Sequence, residues 1–169
     1  MKILAIDTSS SVCSVAILED DKLIDKNEID DGKTHSENLM PLLDEVLKRN
    51  SIDIKDINMI ACTVGPGSFT GIRIGVTAAN TMADMLNVEV KSFSVLDLIA
   101  ANVLIENEIV CSMLDARNDR YYVAIYTKTN DKIELSVERK FFVLKPCKNK
   151  VFNVSRLTVK FMIWKNCPN

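Results

Sequence analysis

Apolar and polar positions alternate from the first residues. "KILAID" (2–7) is rich in aliphatics and predicts a strand that ends at Asp7. The small hydroxyl residues "TSSS" follow as a turn, and "VCSVAIL" (Val12–Leu18) predicts a second strand. "EDDK" makes the next turn, and "LIDKNEI" predicts a third strand with polar residues along one face. Strands joined by turns this short form an antiparallel meander.

The period then changes from two to that of a helix. Leu39, Leu43, Val46 and Leu47 recur at helical spacing through Arg49, with Thr34 or Ser36 as N-cap and Glu37 as capping-box partner. Pro41 lies inside this pattern and predicts a kink or the true start of the helix. "INMIACTV" (Ile57–Val64) reads as a buried strand, closed by Gly65-Pro66-Gly67, and a second helix runs on to about Leu86. "VEVKSF" predicts a further strand, and "SVLDLIAANVLI" a short helix capped by Ser94. Strands linked through helices run parallel, so the first hundred or so residues predict three meander strands plus two parallel ones. Beyond Glu108, "IVCSMLDA", "RYYVAIYT" and "KIELSVERKFFVL" predict three more strands. The first two are joined at "RND", where Asn118-Asp119 are expected to take the positive φ of a tight turn. The expected organisation is a first lobe over 1–104, a partial second lobe over 105–144 and an atypical basic segment over 145–169.

Composition narrows the picture. Of 169 residues, 47% are hydrophobic and 26% charged, as in an ordinary globular protein. A formal charge of −2 argues against nonspecific nucleic-acid binding by the chain as a whole. The charge is uneven: 145–169 holds six Lys and Arg and no acid, which leaves −8 on 1–144. Five cysteines (Cys13, Cys62, Cys111, Cys147, Cys167) are odd in number and show no C-x-x-C spacing. That usage predicts a reducing, cytoplasmic compartment. The N-terminus turns polar too soon for a signal peptide, and no apolar run approaches membrane-spanning length.

One histidine, His35, limits the chemistry. It excludes a metal site built on a His pair, and no catalytic residue or metal-ligand set is expected. "KTHSENL" is a helix entry, with no nucleophile elbow such as the G-x-S-x-G that a Ser-His-Asp triad would use. "GPGSFTGIRIG" lacks the G-K-[ST] of a P-loop. It does place Gly65, Gly67 and Gly71 between a strand and a helix N-terminus, where backbone amides suit an anion. Ser68 or Thr70 could equally be the helix N-cap, and the turn only a corner. Asp7-Thr8-Ser9, at the end of a strand, suits hydrated magnesium or phosphate, yet these are also ordinary turn residues. Asp7, Thr8, Ser9, Gly65, Gly67 and Ser68 are therefore the candidate contacts for ATP or ADP with magnesium.

Taken together, the D-T-S meander and the Gly-rich turn resemble the first lobe of the actin-like ATPases, an α/β, ribonuclease H-like fold. Four segments, "ILAIDTSSSVCSVAI", "THSENLMPLLDEVL", "TVGPGSFTGIRIG" and "LDARNDRYYVAIY", look closely like the TsaB (YeaZ) family. The resemblance is continuous from Met1 to about Tyr126 and fades near Leu144. It implies a mixed five-stranded sheet with packed helices, followed by a truncated second lobe.

It also implies a noncatalytic scaffold subunit needed to make threonylcarbamoyladenosine in tRNA. Such a subunit pairs with the catalytic TsaD through the two helices of the first lobe and works with the ATPase TsaE. It meets tRNA only through the complex and forms a homodimer when alone. TsaD carries an H-x-x-x-H metal site that a chain with one histidine cannot form. Helix 71–86 shows two apolar stripes, Ile72/Val76/Ala79/Ala83 and Ile74/Ala78/Met82/Met85, with only Arg73 and Asp84 as charges. One stripe is expected on the sheet and the other on a partner. The expected partner surface is His35, Leu39, Leu43, Ile72, Val76, Ala79 and Ala83.

Members of the family continue past residue 169, so 145–169 reads as an altered or truncated C-terminus, with a tRNA-touching basic arm as the alternative. The competing function is a small-molecule kinase or ATPase using Asp7 and the Gly65–Gly71 loop. It needs a second phosphate loop, and no glycine follows Gly75. A peptidase would need the missing triad or His pair.

Overall fold

The computed structural model describes residues 1–102, 109–118, 120–129, 132–143 and 159–164. Their contacts divide the chain into two units, Met1–Ser94 and Val95–Asn169.

In the first unit β1 (Lys2–Asp7), β2 (Cys13–Glu19) and β3 (Lys22–Ile29) form the meander. Helix α1 (His35–Arg49) and a 3-10 turn (Ile54–Asp56) lead to β4 (Met59–Gly65), and helix α2 (Phe69–Leu86) leads to β5 (Glu89–Ser94). The sheet order is β3-β2-β1-β4-β5, with β1 antiparallel to β2 and parallel to β4, and β5 parallel to β4. The period-two pattern has its expected consequence. Leu4 and Ile6 on β1, Val15 and Ile17 on β2, and Ile60 and Cys62 on β4 are all buried in register with one another. They form one core with Leu39, Leu42, Leu43, Val46 and Leu47 of α1 and Ala79 and Ala83 of α2. Fully burying an aliphatic side chain stabilises by about 1.5–3 kcal/mol, so this face of the sheet anchors both helices.

Both helix starts are written in the sequence. The Glu37 carboxylate accepts from the Thr34 N–H (3.1 Å) and hydroxyl (2.8 Å), so α1 begins at His35. Pro41 lies inside the helix rather than at its start, because the cap fixes the first turn ahead of it. At the other end Arg49 and Asn50 donate to Asp25 of β3, at 2.8 and 2.5 Å. The Asn50 amide, with Arg49 second, holds the Asp25 carboxyl below the usual carboxylate range. Helix α2 is capped by Ser68 and ends at Asn87, whose φ of 55° is one asparagine tolerates.

The second unit comprises α3 (Val95–Ala101), β6 (Ile109–Asp115), β7 (Arg120–Thr129), β8 (Lys132–Val143) and β9 (Val159–Trp164). Its sheet order is β8-β7-β6-β9, with β9 parallel to β6. That repeats the β3-β2-β1-β4 arrangement of the first sheet. Strand β9 lies in the basic segment, where the only alternation in the sequence, "KVFNVSRLTVKF" (150–161), overlaps its first three residues. "VKFMIW" itself does not sustain the alternation, which is the pattern of a parallel strand and is hard to recognise by period alone. The β6–β7 turn takes positive φ at Arg117 (64°) and Asn118 (53°). That is one residue earlier than expected, and Asp119 lies outside the described residues. The Asp115 carboxylate, accepting from the Arg117 N–H at 2.7 Å, sets the shift. Tyr126 donates to Asp97 (2.6 Å) and ties β7 to α3.

Candidate functional site: the glycine-rich corner and the helix pair

The two turns expected to hold nucleotide are fastened to each other. The Thr8 hydroxyl donates to the Gly71 carbonyl (2.7 Å), and the Ser68 N–H donates to the Ser9 carbonyl (2.7 Å). Asp7 Oδ1 accepts from the Ser9 N–H (2.9 Å) and from the Thr63 hydroxyl (2.7 Å), joining the ends of β1 and β4. Gly71 N–H donates to the Ser68 side chain at 3.2 Å, so two amides at the start of α2 are already spent.

The glycines answer to the same packing. A Cβ on Gly67 would fall on the Ser9 carbonyl, one on Gly71 on the Thr8 carbonyl, and one on Gly75 on the Thr8 hydroxyl. Gly65 takes a φ of 108°, which L side chains rarely adopt. The space a phosphate would need is filled by the chain itself, since Thr8 is 1% exposed and Ser9 5%. Asp7, Thr8, Ser9, Gly65, Gly67 and Ser68 thus come together, but as a joint between β1, β4 and α2. They do not fit ATP or ADP with magnesium.

His35 belongs to this joint. Its Nε2–H donates to the Ser10 carbonyl (2.8 Å), which leaves the proton on Nε2 in the neutral ring, while the ring packs where Gly71 lacks a side chain. Nδ1 is buried with no hydrogen-bond partner among the described residues. His35 therefore clamps the start of α1 to the β1–β2 turn. No group of three or more His, Cys, Asp or Glu among the described residues could hold a metal ion. Cys13, Cys62 and Cys111 are buried free thiols, and burial pushes each of them up.

The expected partner surface needs correcting. Leu39 (2% exposed), Leu43 (5%), Ala79 (0%) and Ala83 (4%) belong to the unit's own core, with Val76 packed against it, and Ile72 is half-buried. The stripe assigned to a partner is the one pressed on the sheet. What α2 leaves open lies on its other side. A groove of about 480 Å³ runs between the helices, floored by Leu39 and Ile74 and edged by Ser36, Met40, Thr70, Arg73, Thr77 and Ala78. Near the two ends of α2, Phe69 is 75% exposed and Met85 81% exposed. The Arg73 guanidinium lies over the Phe69 ring, 5.4 Å from its centroid.

A family model described as "TsaD: tRNA N6-adenosine threonylcarbamoyltransferase" matches residues 30–146. The tRNA threonylcarbamoyladenosine biosynthesis protein TsaB of Bacillus subtilis is 35% identical over 134 residues, covering 79% of this chain and 58% of that protein. The chain belongs to the TsaB (YeaZ) family. The Escherichia coli TsaB is 33% identical over 148 residues, covering 86% of this chain and 63% of its own length. The chain thus spans about three fifths of the length of these TsaB relatives. Among solved structures, YeaZ from Pseudomonas aeruginosa superposes with a TM-score of 0.75 at 28% identity, covering 89% of this chain and 70% of that one. The fold is accordingly the actin-like lobe that the TsaB resemblance implies, and no helix among the described residues is long and apolar enough to cross a membrane.

Some residues of this site escape sequence reasoning. Thr63 gives no signal inside an apolar strand, and Ser10 holds His35 through its backbone carbonyl, which no side-chain pattern reveals. The exposed Phe69–Arg73 pair is legible in retrospect as an aromatic and a cation one turn apart on the helix.

Proposed function

We propose that this chain is a noncatalytic partner subunit for threonylcarbamoyladenosine modification of tRNA. It docks a TsaD-type catalytic subunit on the open face of α1 and α2 and works beside a TsaE-type ATPase in the cytoplasm. It meets tRNA only through that complex. The observation that carries the reading is the groove between the helices, lined by exposed Met40 among others, on a helix pair whose α2 also exposes Phe69 and Met85. A helix packed only on its own sheet needs one apolar stripe, and large exposed apolar side chains grouped at a groove mark an interaction surface. The kinase or ATPase reading has less support, because the Asp7 and Gly65–Gly71 loops are committed to each other.

Reconstitution tests the proposal. With a TsaD-type subunit, a TsaE-type ATPase, the threonylcarbamoyl donor and tRNA, modified adenosine should form only when this chain is added. The chain alone should hydrolyse ATP no faster than background. Modification independent of the chain, or ATP turnover by the chain that Asp7→Ala abolishes, would contradict it.

A further inference from the structure

One short turn holds the starts of both helices. Thr8 donates its hydroxyl to the Gly71 carbonyl and the Ser9 carbonyl accepts from the Ser68 N–H, which fixes α2. The next residue fixes α1: the Ser10 carbonyl accepts from His35 Nε2–H at 2.8 Å. His35 is the first residue of α1, and its ring lies against Gly71, where an added Cβ would come within 2.9 Å of ring carbon Cδ2. The ring is therefore where the start of α1 meets the start of α2. Its other nitrogen, Nδ1, is buried without a hydrogen-bond partner among the described residues. The side chain thus contributes one hydrogen bond and one flat face.

The groove begins beside that contact. Ser36 follows His35, Thr70 precedes Gly71, and both line the groove. The floor residues Leu39 and Ile74 stand about one helical turn further along their helices, a step of about 5.4 Å. A shift of α1 at His35 is carried by the helix straight into the groove. We propose that His35 is the positioning residue of the docking groove: its bond to the Ser10 carbonyl sets the spacing of α1 and α2 that a TsaD-type subunit meets. His35 is not among the residues that line the groove, so it acts through Ser36 and Leu39, which are. A surface held ready costs less to bind than one that must first be ordered. The inference rests on the proposed docking of such a subunit on α1 and α2, and adds the residue that shapes the surface.

Asparagine and glutamine at position 35 test it, because they differ by one methylene. The glutamine amide extends to the level of Nε2 and can donate to the Ser10 carbonyl; the asparagine amide stops at the level of Nδ1 and falls short. Binding of each full-length variant to a TsaD-type subunit is measured by titration calorimetry well below its denaturation midpoint, with circular dichroism confirming the fold. One net hydrogen bond lost from the ready state supports a change of about five-fold. His35→Asn should therefore bind about five-fold more weakly, and His35→Gln should stay within about two-fold of the parent. A purely structural role would lower the midpoint of His35→Asn and leave the affinity of the folded chain at the parental level. That result, or a His35→Asn chain that does not fold, assigns His35 to the fold alone and overturns the proposal. Equal weakening in both variants overturns it too, since the bond to Ser10 would not be what matters. Thr77→Arg, at the edge of the groove, separates this from the underlying reading. If Thr77→Arg abolishes binding while His35→Asn binds like the parent, the docking face stands and the positioning role is wrong. If Thr77→Arg binds like the parent, or the parent does not bind, the docking reading fails and this one with it.

Discussion

On α2, Gly71, Gly75, Ala79 and Ala83 occupy one side of the cylinder, and Arg73, Thr77 and Asp84 occupy the other. The first side is narrow because it is pressed on something. Thr8 and Ser9 reach so close that a single added carbon at Gly67, Gly71 or Gly75 would collide with them. The second side carries the helix's charges, and the large apolar groups Phe69 and Met85 stand beside it without cover from the described residues of the first unit. Small residues on a helix therefore do not identify the surface offered to a partner. In this chain they record how closely the helix lies on its own sheet, and the partner surface proposed above is the side that the sheet leaves over.

Substitutions placed on one side and then the other break or sharpen that contrast. The largest effect belongs to Ala79→Arg. It forces an unpaired charge into a core position with 0% exposure, and an uncompensated buried charge costs about 3–5 kcal/mol. The variant should unfold or lose most of its urea resistance; a folded variant with parental stability would place Ala79 outside the core. Next is Gly71→Ala, whose methyl must displace the Thr8 carbonyl and the His35 ring. Overpacking of this kind costs about 1–3 kcal/mol, seen as a lower denaturation midpoint. Thr8→Val removes only the hydroxyl that donates to the Gly71 carbonyl, for about 1 kcal/mol. A midpoint unchanged from the parent would show that this bond does not hold the corner.

The acid side of the pH profile should show a smaller effect. Asp25 is lowered chiefly by its hydrogen bond from Asn50, and Asp31 chiefly by its hydrogen bond from Asn38. A carboxyl with a depressed folded pKa stabilises above its unfolded value, near 3.9 for Asp, and that contribution is lost as pH falls through the folded pKa. Asp25→Asn should therefore flatten the loss of stability below about pH 4 while changing little on the open side of α2.

The fold was legible for a physical reason. In the first unit one sheet face is covered and strands alternate cleanly, so "KILAID" and "CSVAIL" give both their extent and their buried side. Capping also reads directly, from Thr34 with Glu37 and from Ser68. Three things did not read. Which of the two apolar stripes of α2 meets the sheet depends on where Thr8 and Ser9 lie in space, and no helical period contains that. The glycine-rich turn looks the same whether its missing side chains make room for a phosphate or for the chain's own carbonyls, and only the contacts decide. Strand β9 takes its place from pairing with β6, a partner some fifty residues away in sequence, rather than from any alternation of its own.

The most direct test of the account is the pairing of Thr77→Arg with a TsaD-type subunit, measured by co-purification and sedimentation beside the parent chain. Thr77 is exposed at the edge of the groove, and arginine is a better helix former than threonine, so the fold should be kept. The account predicts a variant with parental circular dichroism and denaturation midpoint that no longer brings down its partner. A folded Thr77→Arg that pairs as well as the parent would contradict it, and would mean that the open side of α2 is not where this chain meets its partner.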